Sequence, residues 1–310
     1  MKALRTLASE TLRKMAGPTK GENPPANAEP APVKPKPKPP APTPADPSPP
    51  GKVVPREKLP AALKPVYDRK PDWVSREIWM AEAIALYEEI SRAKASSAIE
   101  LGVASGFSSA VTVASLLDNS KDAKLYAFDL AEQCYYDKTR KTGQAVGEIF
   151  PDFKSYSLTT GVTSANIDAD LDPVDFIFID ASHQHPWATL DLISLSRYAR
   201  NGTVVGLHDI NWPLRNPKAY NQNGARDLIR PWPGQKRIYE SALNIGFIDY
   251  ESDEVAFEGI RRSLSIDWDV EVPKDVLKQY LPFVDRFGPD AKSRIAALFD
   301  EKSKRIWRLR

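Results

Sequence analysis

The spacing of apolar positions along the chain changes period repeatedly, and each change marks an element. Between Val74 and Ala95, Ile78, Ala81, Ala85 and Leu86 fall near one helical face, which predicts a helix starting near Ser75. Ala98 to Leu101 then reads as a short apolar strand, Gly102 as the start of a turn, and Ser108 to Leu117 as a helix. A strand, a glycine turn and a helix in that order form the first half of a βαβ unit. Lys124 to Leu130 predicts a second strand carrying an acid, Asp129, at its end, and Ser155 to Thr160 a weaker one ending near Gly161. Val174 to Ile179 is almost continuously apolar, as a central strand buried on both faces requires, and Asp180 ends it. Residues 187–199 predict a helix, and Thr203 to Leu207 another buried strand that runs out at His208 and Asp209. Ala225 to Ile229 reads as helical. Gly246 to Tyr250 and Val255 to Ile260 read as a terminal hairpin turning at Ser252-Asp253. The chain from Pro273 onward reads as helix with a break near Gly288-Pro289. Repeated β-α alternation predicts an α/β fold with a mostly parallel sheet and helices on both faces.

Proline divides this pattern from what precedes it. Of 28 prolines, 14 lie between Pro18 and Pro50, where Val33 is the lone large aliphatic residue. Such a stretch buries too little apolar surface to offset the entropy of ordering, so residues 17–58 are expected to be a disordered, Pro-rich linker. Ahead of it, Leu4, Leu7, Ala8, Leu12 and Met15 recur at helical spacing among Lys2, Arg5, Arg13 and Lys14. Residues 1–16 are therefore read as a short amphipathic helix suited to weak contact with a membrane surface or a protein, against a frayed helix with no role. Residues 59–310 are expected to form one folded domain.

Composition narrows the function. Lys and Arg total 43 against 41 Asp and Glu, a balance of +2 that speaks against a nucleic-acid partner. One cysteine, Cys134, excludes an intramolecular disulfide framework and a multi-cysteine zinc site, and suits a reduced compartment, read as cytoplasmic. It is read as a passive residue in a helix. No apolar run approaches the length of a membrane span.

In open α/β sheets, ligands bind outside the carboxyl ends of the strands. The residues standing there are Gly102 to Gly106, Asp129, Gly161, Asp180 to His185 and His208 to Asn211. The chain has three histidines, His183, His185 and His208, and all three fall in that set. Polar residues placed immediately after apolar strands are hard to explain by packing alone.

Four segments in order, IELGVASGFSS, FDL, DFIFIDASH and NGTVVGLHD, resemble the class I S-adenosylmethionine-dependent methyltransferases. The nearest branch is similar to catechol O-methyltransferase and bacterial small-molecule and sugar O-methyltransferases. The resemblance spans roughly residues 95–260 and leaves out the Pro-rich tail and the last 45 residues. It implies a Rossmann-like seven-stranded sheet with one antiparallel strand from a terminal hairpin. It implies S-adenosyl-L-methionine as cofactor, held by Glu100, Gly102, Ser105, Gly106, Asp129 and Asp180, with adenine approaching Thr160 and Gly161. A dinucleotide reading is disfavoured because Ala104 stands where the middle glycine of that motif belongs.

The catechol-type branch holds a divalent metal on two strand-end carboxylates and an adjacent Asn. Asp180 and Asp209 match the carboxylates; Ile210 takes the Asn position, with Asn211 one residue late. A metal-free site is the alternative. His183 falls where that branch has a catalytic lysine, and is expected to act as base or as the acceptor's hydrogen-bond partner, with Asp180 orienting it and His208 in reserve. An unperturbed imidazole is largely neutral at physiological pH and suits that work. His185 is read as a surface-loop residue, Trp187 and Trp212 as pocket walls or core, and the basic terminus KSKRIWRLR as a solvated helix end. The expected activity is methylation of a hydroxyl on a small molecule or sugar. The rival readings are a catalytically silent, cofactor-binding adaptor working through its Pro-rich arm, supported by the Ile210 departure, and another nucleotide-using enzyme of the same architecture.

Overall fold

The computed structural model describes residues 58–75 and 78–305. The expected N-terminal helix and nearly all of the Pro-rich linker lie outside the described residues.

Seven strands form one sheet: β1 (Ser97–Leu101), β2 (Lys124–Asp129), β3 (Tyr156–Thr160), β4 (Phe176–Ile179), β5 (Thr203–His208), β6 (Lys236–Tyr239) and β7 (Ala242–Tyr250). Their order is β3-β2-β1-β4-β5-β7-β6. The first five are mutually parallel, and β7 runs antiparallel to both β5 and β6. Register brings the carboxyl ends level, with Leu101 beside both Phe128 and Ile179, and Ile179 beside Leu207. The polar residues that follow these strands therefore share one edge.

The helices are α1 (Lys64–Asp68), α2 (Met80–Arg92), α3 (Phe107–Asn119), α4 (Gln144–Ile149), α5 (Trp187–Leu195), α6 (Trp212–Arg215), α7 (Gly224–Ile229), α8 (Asp253–Ser265), α9 (Lys274–Lys278) and α10 (Ala291–Arg305). The pleat of β4 divides the core into two layers. Ile177 and Ile179 pack with α5, α7, α8 and the C-terminal helices, while Phe176 and Phe178 pack with α2 and α3. Among the described residues, no helix is long and apolar enough to cross a membrane.

Three expectations are corrected. The hairpin is β6–β7, and residues 253–265 are a helix. Ser252-Asp253 is its start rather than a turn: the Ser252 hydroxyl accepts from Val255 N at 3.2 Å, and two acids occupy the first turn. That is the N-cap chemistry a helix wants, and buried Ala256, Ile260 and Leu264 recur every four residues. Second, α2 starts at Met80 rather than near Ser75. The carboxylate of Glu82 accepts from Trp79 N at 2.7 Å and sets that boundary. Third, Cys134 is buried in the irregular connection after β2, not in a helix. At the basic terminus, Lys302 is buried and donates to the carbonyls of Ser265 (2.8 Å) and Ile266 (2.6 Å), closing the end of α8.

One enclosed acid lies away from the strand ends. Asp191 on α5 accepts the Ser164 hydroxyl at 2.5 Å, and Ser164 lies 3.4 Å from the Tyr280 hydroxyl. Burial raises the Asp191 pKa from 3.8 to about 7. The folded chain therefore keeps a proton that the unfolded chain releases, and stability falls as pH rises from about 4 to 7. Asp191→Asn, which keeps the Ser164 bond, should flatten this dependence. It should raise stability at pH 8 by up to about 4 kcal/mol, at ~1.36 kcal/mol per pKa unit. Urea unfolding from pH 4 to 8 checks it.

Candidate functional site

Gly102 leaves β1 at φ +89°, and a Cβ there would stand 2.2 Å from the carbonyl oxygen of Asp180. Only glycine allows β1 and β4 to end this close together. At Gly106 (φ +88°) a Cβ would stand 2.8 Å from the Cα of Gly143. The missing side chains thus make room for neighbouring backbone. Between them, Ala104 adopts φ +48°, an uncommon value for a residue with a Cβ.

The carboxylate of Asp129 holds this loop. One oxygen accepts from Val103 N (2.8 Å) and Ala104 N (3.2 Å), the other from Ala131 N (2.7 Å). Ser105 is buried, with its hydroxyl accepting from Phe107 N at 3.3 Å. Glu100 is fully enclosed behind the loop, where it accepts the Ser108 hydroxyl at 2.5 Å. Burial lifts its pKa to about 8. The structure therefore brings Gly102, Gly106, Asp129 and Asp180 to one edge, and leaves Glu100 and Ser105 beneath it. Beside them, a Cβ on Gly161 would meet nothing within 4 Å.

At the neighbouring ends of β4 and β5, acids and imidazoles alternate. Asp180 Oδ1 is 3.2 Å from His183 Nε2 and 3.2 Å from His208 Nδ1. His183 Nδ1 is 3.1 Å from Asp209 Oδ2, and His208 Nε2 is 3.3 Å from Glu82 Oε2. Asp180, His183 and Asp209 each offer a ligand atom, and these atoms lie within 4.8 Å of one another. Asp209 itself adopts φ +58°.

Both nitrogens of each imidazole face carboxylate oxygen, an arrangement that only the doubly protonated ring satisfies. Burial opposes the charge on His183, but Asp209 and Asp180 outweigh it and raise the pKa to about 9. Burial opposes it on His208 too, and Asp180, Asp209 and Glu82 hold that pKa well above the ordinary value. Asp180 resists burial in turn and is held below the carboxylate range by His208 and His183. The neutral imidazole assumed from the sequence is thus corrected: in this arrangement both rings hold their protons.

Two members of the cluster were not legible. Glu82 is 1% exposed and reaches His208 from α2, 126 residues away. Asn244 of β7 donates to Asp209 Oδ1 at 2.6 Å while its own oxygen accepts from Asn211 N at 3.1 Å. Ile210 is buried in the core, and Asn211 turns its side chain to the Leu243 carbonyl. The capping position of Glu82 is a sequence signal for a helix start, and carries no hint of His208.

His185 does not join. It is fully buried, and burial lowers its pKa to about 4. Trp187 packs against the core, and Trp212 opens α6 half-buried. Arg215 of α6 lies over Trp79, 4.7 Å from the ring centroid.

Residues 99–210 match the family model described as a methyltransferase domain. This segment is similar to that domain. It holds the loop, Asp129, Asp180, both site histidines and Asp209, while Glu82 and Asn244 reach it from outside. No curated protein matches the chain. Among solved structures, the chain is similar to an O-methyltransferase from Bacillus cereus in complex with S-adenosylhomocysteine (16% identity, 64% of this chain and 92% of that one, TM-score 0.44). It is also similar to the O-methyltransferase TomG from Streptomyces achromogenes (14%, 59% and 87%, TM-score 0.45). A third is the methyltransferase PaMTH1 from Podospora anserina (11%, 65% and 100%, TM-score 0.44).

Glu82→Ala removes a buried acceptor from both His208 and Trp79 N, while His208 keeps Asp180 and Asp209 as counter-charges. The fold should lose about 1–3 kcal/mol of stability. Glu82→Gln, which keeps an oxygen in place, should lose less. Denaturant unfolding of the two variants checks the order.

Proposed function

We propose that this chain is an S-adenosylmethionine-dependent O-methyltransferase acting on a hydroxyl of a small molecule or sugar. The observation that carries this reading is the adjacency of the Asp129-held loop and the Asp180–His183–Asp209 cluster at one edge of a segment similar to a methyltransferase domain. The cofactor supplies an activated methyl on a sulfonium. The chain's residues then have to align the acceptor and handle one proton.

The residues fit the cofactor in two ways. Asp129 keeps about one carboxylate lone pair, on Oδ1, beyond its three backbone donors, and this suits a ribose hydroxyl. The open space at Gly161 suits the adenine side. Beyond the loop, His183 stands 3.1–3.2 Å from two carboxylates, where its ring, once it has released one proton to solvent, would take the proton that the acceptor hydroxyl loses, or hydrogen-bond the acceptor oxygen. His208 is a fixed cation between Glu82 and Asp180 and orients Asp180 rather than acting as base.

The donor set of Asp180, His183 and Asp209 also fits a divalent cation. The cluster attracts positive charge, and one imidazole with two carboxylates is a familiar set for a transition metal. Such an ion would lower the pKa of an acceptor hydroxyl. Asn244 turns its nitrogen to Asp209, so it steadies that ligand rather than adding one. The catechol-type Asn thus has no counterpart at Ile210, and His183 stands as the third ligand of the set.

Calorimetry with S-adenosylmethionine, S-adenosylhomocysteine and NAD tests the reading. The first two should bind and NAD should not. Asp129→Ala should weaken binding about tenfold to a hundredfold, the worth of a charge-assisted hydrogen bond. His183→Ala should leave that affinity intact and slow turnover by about 10²–10⁴-fold on the true acceptor. Binding of NAD alone, or unchanged affinity in Asp129→Ala, would refute the assignment.

A further inference from the structure

The C-terminal part of the chain lies outside the matched residues 99–210, yet it reaches the backbone that presents His183. His183 sits in the connection between β4 and α5. Among the described residues, the hydrogen bonds tying the backbone of residues 181–185 to elements other than α5 come from two places. Gly224 N donates to the His183 carbonyl at 2.7 Å. Asp269, in the segment after α8, both gives and takes at His185: its N donates to the His185 carbonyl at 3.0 Å, and its Oδ2 accepts from His185 N at 2.8 Å.

The same carboxylate secures the other support. Asp269 Oδ2 also accepts from Asn223 N at 2.8 Å, and Oδ1 accepts from Asn223 Nδ2 at 3.0 Å. Asn223 immediately precedes Gly224. One half-buried side chain therefore ties together the connection carrying His183, the start of α7 and the C-terminal segment. The packing there is close: a Cβ on Gly224 would stand 3.0 Å from the carbonyl oxygens of both His183 and Gln184.

We infer that Asp269 is a positioning residue for His183, and that the C-terminal segment is part of the working site through it. The inference rests on the methyltransferase reading for what His183 does, but not for where Asp269 holds it. His183 must lie within hydrogen-bond reach of both Asp180 and Asp209, so a displacement of about 1 Å breaks that arrangement. Displacements of that size lower rates by about 10²-fold.

The geometry distinguishes two substitutions. Asp269→Ala removes every side-chain acceptor of the clamp. Asp269→Asn keeps one oxygen for His185 N and Asn223 N, and its amide can donate to a flipped Asn223. The test is NMR of the full chain labelled with ¹⁵N-histidine, metal-free, reading the ring N–H signals. Three histidines make the assignment tractable. Asp269→Ala should displace or broaden the His183 signals and leave those of His208 in place, while Asp269→Asn retains both. Loss in both variants, loss in neither, or loss of the His208 signals together with those of His183 overturns the inference. If Asp269→Ala fails to fold, Asn223→Ala, which removes the Asn223 amide bonds to Asp269 Oδ1 and to the Tyr220 carbonyl, is read in the same way. With an acceptor in hand, Asp269→Ala should lower kcat by about 10²-fold with the KM for S-adenosylmethionine unchanged. A chain that binds no S-adenosylmethionine defeats the methyltransferase reading and leaves this test standing, because the ring signals are read without cofactor.

Discussion

Three carboxylates crowded at one edge of a sheet require positive charge, and that requirement organises the site. Glu82, Asp180 and Asp209 come from three elements and meet around His208 and His183. Like charges this close cannot all remain ionised without compensation. In this structure two imidazolium rings provide it. His208 is locked between Glu82 and Asp180, whereas His183 is a third exposed and bonds to Asp180 and Asp209 alone. The more accessible ring is the one free to exchange its proton with solvent or for another cation.

Sheet geometry places these groups. The close approach at Gly102 sets the end of β1 against that of β4, so the Asp129-held loop and Asp180 adjoin. Parallel register between β4 and β5 then brings His208 level with Asp180, with Asp209 one residue further on. The antiparallel β7 adds Asn244 beside Asp209, and its hairpin is pinned to α2 by Arg237, which meets buried Glu89 at 2.7 Å and Asp249 at 2.6 Å. Helix α2 is thus fixed at both ends of the arrangement, since it also carries Glu82. Backbone strain concentrates here as well, at Ala104 and Asp209, a pattern common where a site is held against local preference.

The strands and the edge they share were legible because apolar runs ending in acids, glycines and histidines leave few alternatives. Val174 to Ile179 and Thr203 to Leu207 are buried on both faces, and that reads directly from their composition. The segment after Tyr250 was misread because Val255 to Ile260 is short and apolar, and the Ser252 cap was taken for a turn. His185 looked like a loop residue, but Asp269 and the end of α8 fold over it. Glu82, Asn244 and Asp269 were illegible for a shared reason. Each contributes through tertiary contacts, and nothing in the residues around it differs from an ordinary cap, strand or loop position.

The central claim is that the edge built by Gly102, Asp129, Asp180 and His183 is where S-adenosylmethionine meets an acceptor. A crystal structure of the full chain grown with S-adenosylhomocysteine tests it most directly. The account predicts ligand density across residues 102–106, with a ribose hydroxyl on the Asp129 carboxylate and the sulfur turned toward Asp180 and His183. Density elsewhere on the domain, or a ribose away from Asp129, would contradict it.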